Sequence, residues 1–185
     1  MNRSFLVHTH LIFAALLLPV LLMFAITGAF YTWGIKGSFE TTEYDIVLSQ
    51  PLQKDPEYLQ QWLEDVLEIK GIAVPSGKGK IKGNNKNYHY EWTGSARVVS
   101  VAPSSNALIA QLTIDESSYY RYLVQLHKGK GGIVFKVYAA ILAIGLVLIG
   151  ISGVIMALRM PKYRVLTQRY LALGALLFII LLLLS

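Results

Sequence analysis

Three long apolar runs dominate the pattern of hydrophobic and polar positions along the chain. Residues 11–30, 137–158 and 170–184 contain no charged side chain. A helix needs about 20 apolar residues to cross a bilayer, at about 1.5 Å per residue. The first two runs reach that length, and the third reaches it from Val165 if the Arg169 side chain extends to the interface. The pattern therefore predicts three transmembrane helices.

Between the first two runs the pattern is that of a small α+β domain. Residues 55–71 place apolar side chains at helical spacing, with Asp55 and Pro56 as the start signal and Gly71 as the stop. The stripe consists of Leu59, Trp62, Leu63, Val66 and Leu67. Residues 37–52 are typical of an extended segment, and strand patterns separated by turns follow the helix. We expect one helix followed by an antiparallel meander of three or four strands, with a second helical segment at 117–129.

The distribution of charge indicates how the spans are oriented. The formal net charge is +6, yet all 11 Asp and Glu residues lie between residues 40 and 116. The N-terminal segment and the loop 159–169 carry basic residues and no acid. Because basic loops stay in the cytoplasm, we expect the N-terminus inside and both residues 34–132 and the C-terminus outside. The positive charge is then a topology signal, and we expect no nucleic-acid partner.

The first apolar run could also be a secretory signal peptide, because it follows a short basic segment. It is long for that role, however, and continues into Tyr31 and Trp33. These aromatic residues suit the interfacial belt of a retained helix. We therefore favour an uncleaved membrane anchor.

No residue pattern indicates catalysis by the chain itself. The absence of cysteine excludes disulfides, thiolate metal sites and cysteine nucleophiles. The sequence contains no HExxH motif, phosphate loop or dinucleotide fingerprint, and no acid lies within a predicted span. We expect no catalytic residue and no metal site built from side chains. We therefore expect that the protein is not an enzyme on its own.

The histidines are the residues most able to carry chemistry. His8 and His10 precede the first span, but positions two apart on a helix point about 200° apart, so they cannot share one ligand. His127 precedes the second span, on the predicted outer side of a bilayer core about 30 Å thick. One haem iron therefore cannot bind both His10 and His127 of the same chain. All three histidines could instead be interfacial anchors, and His89 is expected to be a strand surface residue.

Two further groups of residues suggest contacts. Small residues in the spans predict close helix packing, within the chain or in a dimer; they are Ala25, Gly28, Ala29, Gly145, Gly150, Gly153 and Ala157. A basic patch consists of Lys78, Lys80, Lys82 and Lys86. The patch is expected to be a solvated strand edge that discourages strand addition, or else a surface for anionic headgroups or an acidic partner.

Two motifs resemble those of the PepSY-associated transmembrane family of bacterial membrane proteins. The first is a histidine near the inner end of the first helix followed by a Thr-Gly step, here His10 with Thr27 and Gly28. The second is a Leu-His pair before a glycine-rich segment and a later Ser-Gly step, here His127 with Ser152-Gly153. The outer domain is similar to a PepSY-type module. Larger members resemble siderophore-iron reductases that carry b-type haem between histidine-bearing helices.

The resemblance implies a role in a bacterial inner (cytoplasmic) membrane. We expect an accessory subunit of a redox or iron-uptake system, with His10 and His127 as haem b ligands shared in a homo-oligomer or with a membrane or periplasmic partner. The third span has no histidine, unlike the larger members, so the isolated chain is not expected to transfer electrons alone. The alternative is a non-redox, membrane-anchored module whose periplasmic domain recognises or regulates a partner protein.

The predicted organisation of the chain has six parts. They are a cytoplasmic N-terminus (1–10), a first span (11–33), a periplasmic PepSY-like α+β domain (34–132), a second span (133–158), a cytoplasmic basic loop (159–169) and a third span (170–185).

Overall fold

The computed structural model describes residues 3–84 and 87–184, apart from the side chains of Arg3 and Leu6. Within that part of the chain there are five helices and five strands. They are, in chain order, α1 (Arg3–Thr32), β1 (Phe39–Val47), α2 (Pro56–Ile69), β2 (Gly79–Gly83), β3 (Tyr88–Thr93), β4 (Arg97–Pro103), β5 (Ile109–Ser117), α3 (Tyr119–His127), α4 (Gly132–Arg159) and α5 (Pro161–Leu184).

The strands form one antiparallel sheet in the order β1-β5-β4-β3-β2. Strands β2 to β5 are the predicted meander, with each strand beside its neighbour in sequence. The expected meander of three or four strands is present with four, and the segment Phe39–Val47, expected only to be extended, adds a fifth strand that pairs with β5 along its whole length. That pairing depends on a partner some 70 residues away, so the local pattern indicated only an extended backbone.

Helix α2 covers one face of the sheet and forms the core with it. The Asp55 side chain accepts a hydrogen bond from the Tyr58 N–H at 2.8 Å, which confirms the predicted N-cap. Leu59, Leu63 and Leu67 are fully buried against the sheet, where Tyr90 and its neighbours alternate inward along the strands. Burial of these side chains stabilises the α2–sheet pair by the hydrophobic effect.

Three helices are long and apolar enough to cross a membrane: Val7–Thr32, Gly132–Arg159 and Pro161–Leu184. This confirms the three predicted spanning helices. The third differs in its start, because residues from Pro161 onward are helical where a loop to residue 169 was expected. Proline suits the first turn of a helix, where its missing N–H has no helical partner. None of the α5 residues is buried.

The described chain separates into two compact units. One contains α1 up to Leu22, α4 from Ala139, and α5; the other runs Met23–Tyr138 and contains the sheet. Each candidate site below lies within a single unit.

Candidate functional site

His10 lies on α1 and forms a hydrogen bond with α4 in the first unit. Its Nδ1 atom is 3.0 Å from the Oγ atom of Ser152. The Ser152 hydroxyl in turn donates to the carbonyl of Ile149, one turn back on its own helix, at 2.9 Å. A Cβ atom placed on Gly153 would lie 3.5 Å from His10 Cε1, so the glycine forms part of the surface beside the imidazole.

A cavity of about 200 Å³ adjoins this pair. His10 and Ser152 are among its few polar lining residues, and the remainder of the wall is mostly apolar. The lining consists of Phe5, Thr9, His10, Phe13, Gly145, Leu148, Ile149 and Ser152. An apolar cavity with a few placed polar groups is the usual form of a ligand site, although this one is smaller than most.

His127, at the end of α3, makes the equivalent contact with α1 in the second unit. Its Nδ1 atom is 2.9 Å from the Oγ1 atom of Thr27, a residue only 2% exposed. The Thr27 hydroxyl donates to the carbonyl of Met23 at 2.6 Å. The Phe24 ring packs on the imidazole with ring centroids 4.9 Å apart, and a Cβ atom on Gly28 would lie 3.1 Å from His127 Cε1.

Both hydrogen-bond arrangements assign the same tautomer to their histidine. Where each hydroxyl directs its proton to the backbone carbonyl beside it, it accepts from the imidazole, and His10 and His127 then carry the proton on Nδ1. Their Nε2 atoms then keep a lone pair. Metal-ligating histidines in proteins have this arrangement, in which the second ring nitrogen donates to an oxygen that orients the ring.

The structure thus pairs the two sequence motifs crosswise. The histidine of the first motif meets the Ser-Gly step of the second, and the histidine of the second meets the Thr-Gly step of the first. All these residues stand in the two motifs predicted from the sequence, but the pairing of each hydroxyl with a histidine was not predicted. A hydroxyl followed by glycine on an apolar helix is the signal that could have suggested it.

The remaining two histidines lie elsewhere. His8 is exposed and its Nδ1 atom donates to the carbonyl of Ser4, 2.8 Å away in the same helix. His89 lies on β3, with its Nε2 atom 4.0 Å from a Glu91 carboxylate oxygen. Neither His8 nor His89 lines the cavity beside His10.

The small residues of the spans have different surroundings. A Cβ atom on Gly145 would lie 2.5 Å from Leu17 Cδ1, so α1 and α4 approach closely there. Gly150 has no neighbour within 4 Å of such an atom, Ala157 is half-buried, and Ala25 and Ala29 are exposed.

The lysines of the basic patch are spread along the β2 edge. Lys78, Lys80 and Lys82 are exposed, and Lys86 lies outside the described residues. Lys82 forms an ion pair with Glu91 on β3, with 2.7 Å between Nζ and Oε1. One acid therefore offsets part of the positive charge of this edge.

The spanning helices and the sheet-bearing unit define a membrane protein with one α+β domain. The family model of the PepSY-associated TM region matches residues 1–160, which include both histidine–hydroxyl pairs. The chain belongs to this family, as its motifs predicted. No curated protein and no solved structure shows significant similarity to it.

Proposed function

We propose that the chain is an accessory subunit of an inner-membrane redox or iron-uptake system, similar to a siderophore-iron reductase, and that His10 and His127 are haem b ligands. The single observation that carries the proposal is the hydroxyl at hydrogen-bond distance from Nδ1 of each histidine, an arrangement in which Nε2 can ligate iron. In the proposed orientation the N-terminus is cytoplasmic, and the α+β domain and the C-terminus are periplasmic.

Both histidines offer a nitrogen donor to a haem group, and His10 also lines an apolar cavity. Each imidazole contacts a hydroxyl and packs over a glycine, whose lack of a Cβ lets the ring lie close to the neighbouring helix. The cavity next to His10 is mainly apolar, as the haem macrocycle requires. When bound, the haem would supply one-electron transfer.

The chain's own residues have three tasks in this proposal. His10 and His127 donate Nε2 as ligands, and Ser152 and Thr27 orient the rings by accepting from Nδ1. The predicted topology places the histidines on opposite sides of the bilayer, so a haem held by two histidines would need a second copy of the chain or a partner. Ser152 and Thr27 are positioning residues, because they act through the histidines.

The test is an absorption spectrum of the full chain, purified in mild detergent from haem-replete cells, before and after reduction with dithionite. We expect a Soret band and sharp reduced α and β bands. His10→Ala and His127→Ala should each remove part of this spectrum. His8→Ala is the matched control, because His8 has the same Nδ1 donor but bonds only within its own helix.

Ser152→Ala tests the positioning role separately. We expect it to retain haem but to shift the spectrum or the reduction potential, since the hydrogen bond on Nδ1 raises the basicity of the ligand. A featureless spectrum of the wild-type chain, or a spectrum that neither histidine variant changes, would contradict the proposal.

A second candidate function is a non-redox module whose α+β domain binds a partner protein. The observation that favours it is the polar sheet face opposite α2, with Lys80, Glu91, Ser100, Thr113 and Glu43 in one cross-strand row. Pulldown with the full chain distinguishes the two: substitution of Ser100 and Thr113 by lysine should abolish partner capture while leaving any haem spectrum unchanged.

A further inference from the structure

Five basic residues lie in two segments of the second unit, one just after α1 and one that runs from α3 into α4. They are Lys36, Arg121, Lys128, Lys130 and Lys136, and residues 33–38 and 117–138 contain no acid. This set shares no residue with the histidine pairs or with the β2 lysines. We call it the basic collar.

Contacts within the second unit hold three of these cations together. The Nζ atoms of Lys36 and Lys128 lie 5.6 Å and 5.5 Å from the centre of the same Tyr31 ring. Arg121 donates from Nη1 to the carbonyl of Lys36 at 3.2 Å. The buried Nε atom of Arg121 has no hydrogen-bond partner within the described chain. Lys36 and Lys128 thus share one aromatic ring, and Arg121 binds the backbone of Lys36.

Lys130 shows the electrostatic effect of this gathering. Burial lowers the pKa of its amine, and the cations Lys128 and Arg121 lower it further. Lys82 acts in the same direction, and Glu91 opposes them. An anion bound at the collar would relieve this repulsion.

An apolar cleft of about 310 Å³ lies at the end of α1 beside the collar. It is lined by Ala29, Phe30, Trp33 and Ile35, and Trp33 is 87% exposed. The next residue along the chain from Ile35 is the collar residue Lys36. Tyr120 of α3 fixes this segment, because its hydroxyl donates to the Ile35 carbonyl at 3.4 Å. A molecule with an acyl chain and a phosphate could therefore contact the cleft and the cations together.

We propose that the collar and this cleft bind an anionic phospholipid, with the phosphate among Lys36, Arg121 and Lys128 and an acyl chain against Trp33. Each lysine near a membrane surface raises the binding affinity for anionic lipid by about fivefold. An exposed tryptophan suits the membrane–water interface. The chemistry of a phosphate anion is shared with free phosphate, so the experiment separates the two.

The readout is the fluorescence of Trp33 in the full chain in mild detergent, quenched by added lipids with brominated acyl chains. Trp62 and Trp92 pack against the α2–sheet core, and a Trp33→Phe variant measures their background. We expect brominated phosphatidylglycerol to quench at lower concentration than brominated phosphatidylcholine. Lys36→Gln/Lys128→Gln should raise the phosphatidylglycerol concentration required by about thirtyfold.

Two variants control for charge and for folding. Lys162→Gln/Arg164→Gln removes the same charge elsewhere and should leave the preference intact. Lys36→Arg/Lys128→Arg keeps the charge and should retain it. Equal quenching by both lipids, or loss of preference in the arginine variant, would overturn the proposal. If millimolar inorganic phosphate abolishes the preference for phosphatidylglycerol, the site binds free phosphate and the lipid assignment is overturned.

Discussion

The Nδ1 atom of His127 lies 2.9 Å from the Oγ1 atom of Thr27, although 100 residues separate them along the chain. The contact joins the end of α3 to α1 within one unit. The threonine hydroxyl also lies 2.6 Å from the Met23 carbonyl, so it can donate to the carbonyl while it accepts from the imidazole. Packing of the second unit and the chemistry of His127 therefore depend on the same hydroxyl.

Thr27→Val should destabilise the chain by about 1–3 kcal/mol, because it leaves a part-buried imidazole N–H without an acceptor. Thr27→Ser keeps the hydroxyl and should retain most of the stability. The measurement is thermal unfolding of the full chain in detergent, followed by circular dichroism. Thr32→Val is the control, since the Thr32 hydroxyl is exposed and bonds only to Ala29 of its own helix. If Thr27→Val and Thr32→Val unfold at the same temperature, the contact with His127 contributes little to the stability of the chain.

Gly37→Ala should destabilise the second unit far more than Gly34→Ala. Both glycines have positive φ, at 73° and 81°, so alanine is strained at either position, at a cost of about 1 kcal/mol. A Cβ atom on Gly37 would also lie 2.7 Å from the backbone nitrogen of Arg121, whereas Gly34 has nothing within 4 Å. We expect an additional loss of about 2 kcal/mol at Gly37, measured by chemical unfolding. Equal losses would show that the approach to α3 is not a tight one.

The sequence predicted those parts of the molecule that depend on local periodicity. The Leu59, Leu63 and Leu67 stripe identified α2 and its buried face, because side chains four apart on a helix share one side. The spanning helices followed from the length of their apolar runs. Family membership followed from two motifs in the right order.

The features that the sequence did not predict depend on residues far apart in the chain. Strand β1 pairs with β5 through partners such as Tyr44 and Leu112, and no local pattern selects them. The contact of His10 with Ser152 joins residues 142 positions apart. Periodicity shows which face of a helix is apolar, but it does not show which hydroxyl on another helix a histidine will meet.

The α2–sheet core should lose stability above pH 10. Burial raises the pKa of Tyr90, and the Glu64 carboxylate raises it further; burial also raises the pKa of Tyr88. The folded state therefore holds these protons more tightly than the unfolded state. The resulting stabilisation is complete below the ordinary pKa of 10.0 and is lost as the pH rises through the higher pKa of the folded state. Alkaline unfolding should therefore begin above pH 10, as followed by near-UV circular dichroism.

Tyr90→Phe tests this assignment. It removes one titrating hydroxyl, whose contact with Gln60 is long at 3.5 Å, and should move the alkaline transition to higher pH. Tyr119→Phe is the control, because Tyr119 is 81% exposed. An unchanged transition in Tyr90→Phe would mean that another group causes the alkaline unfolding.

Leu63→Ala should destabilise the sheet-bearing unit by about 2–5 kcal/mol. Leu63 has no exposed surface and packs between α2 and the sheet, so its truncation removes buried methyl groups and leaves a cavity. Ile69 is the matched control on the same helix, because it is 86% exposed and Ile69→Ala should have little effect. Hydrogen exchange of the strand amides in the full chain is the appropriate measurement, since it reports on the sheet while the long apolar helices remain in detergent. If protection of β3 to β5 is the same in both variants, α2 does not stabilise the sheet through Leu63.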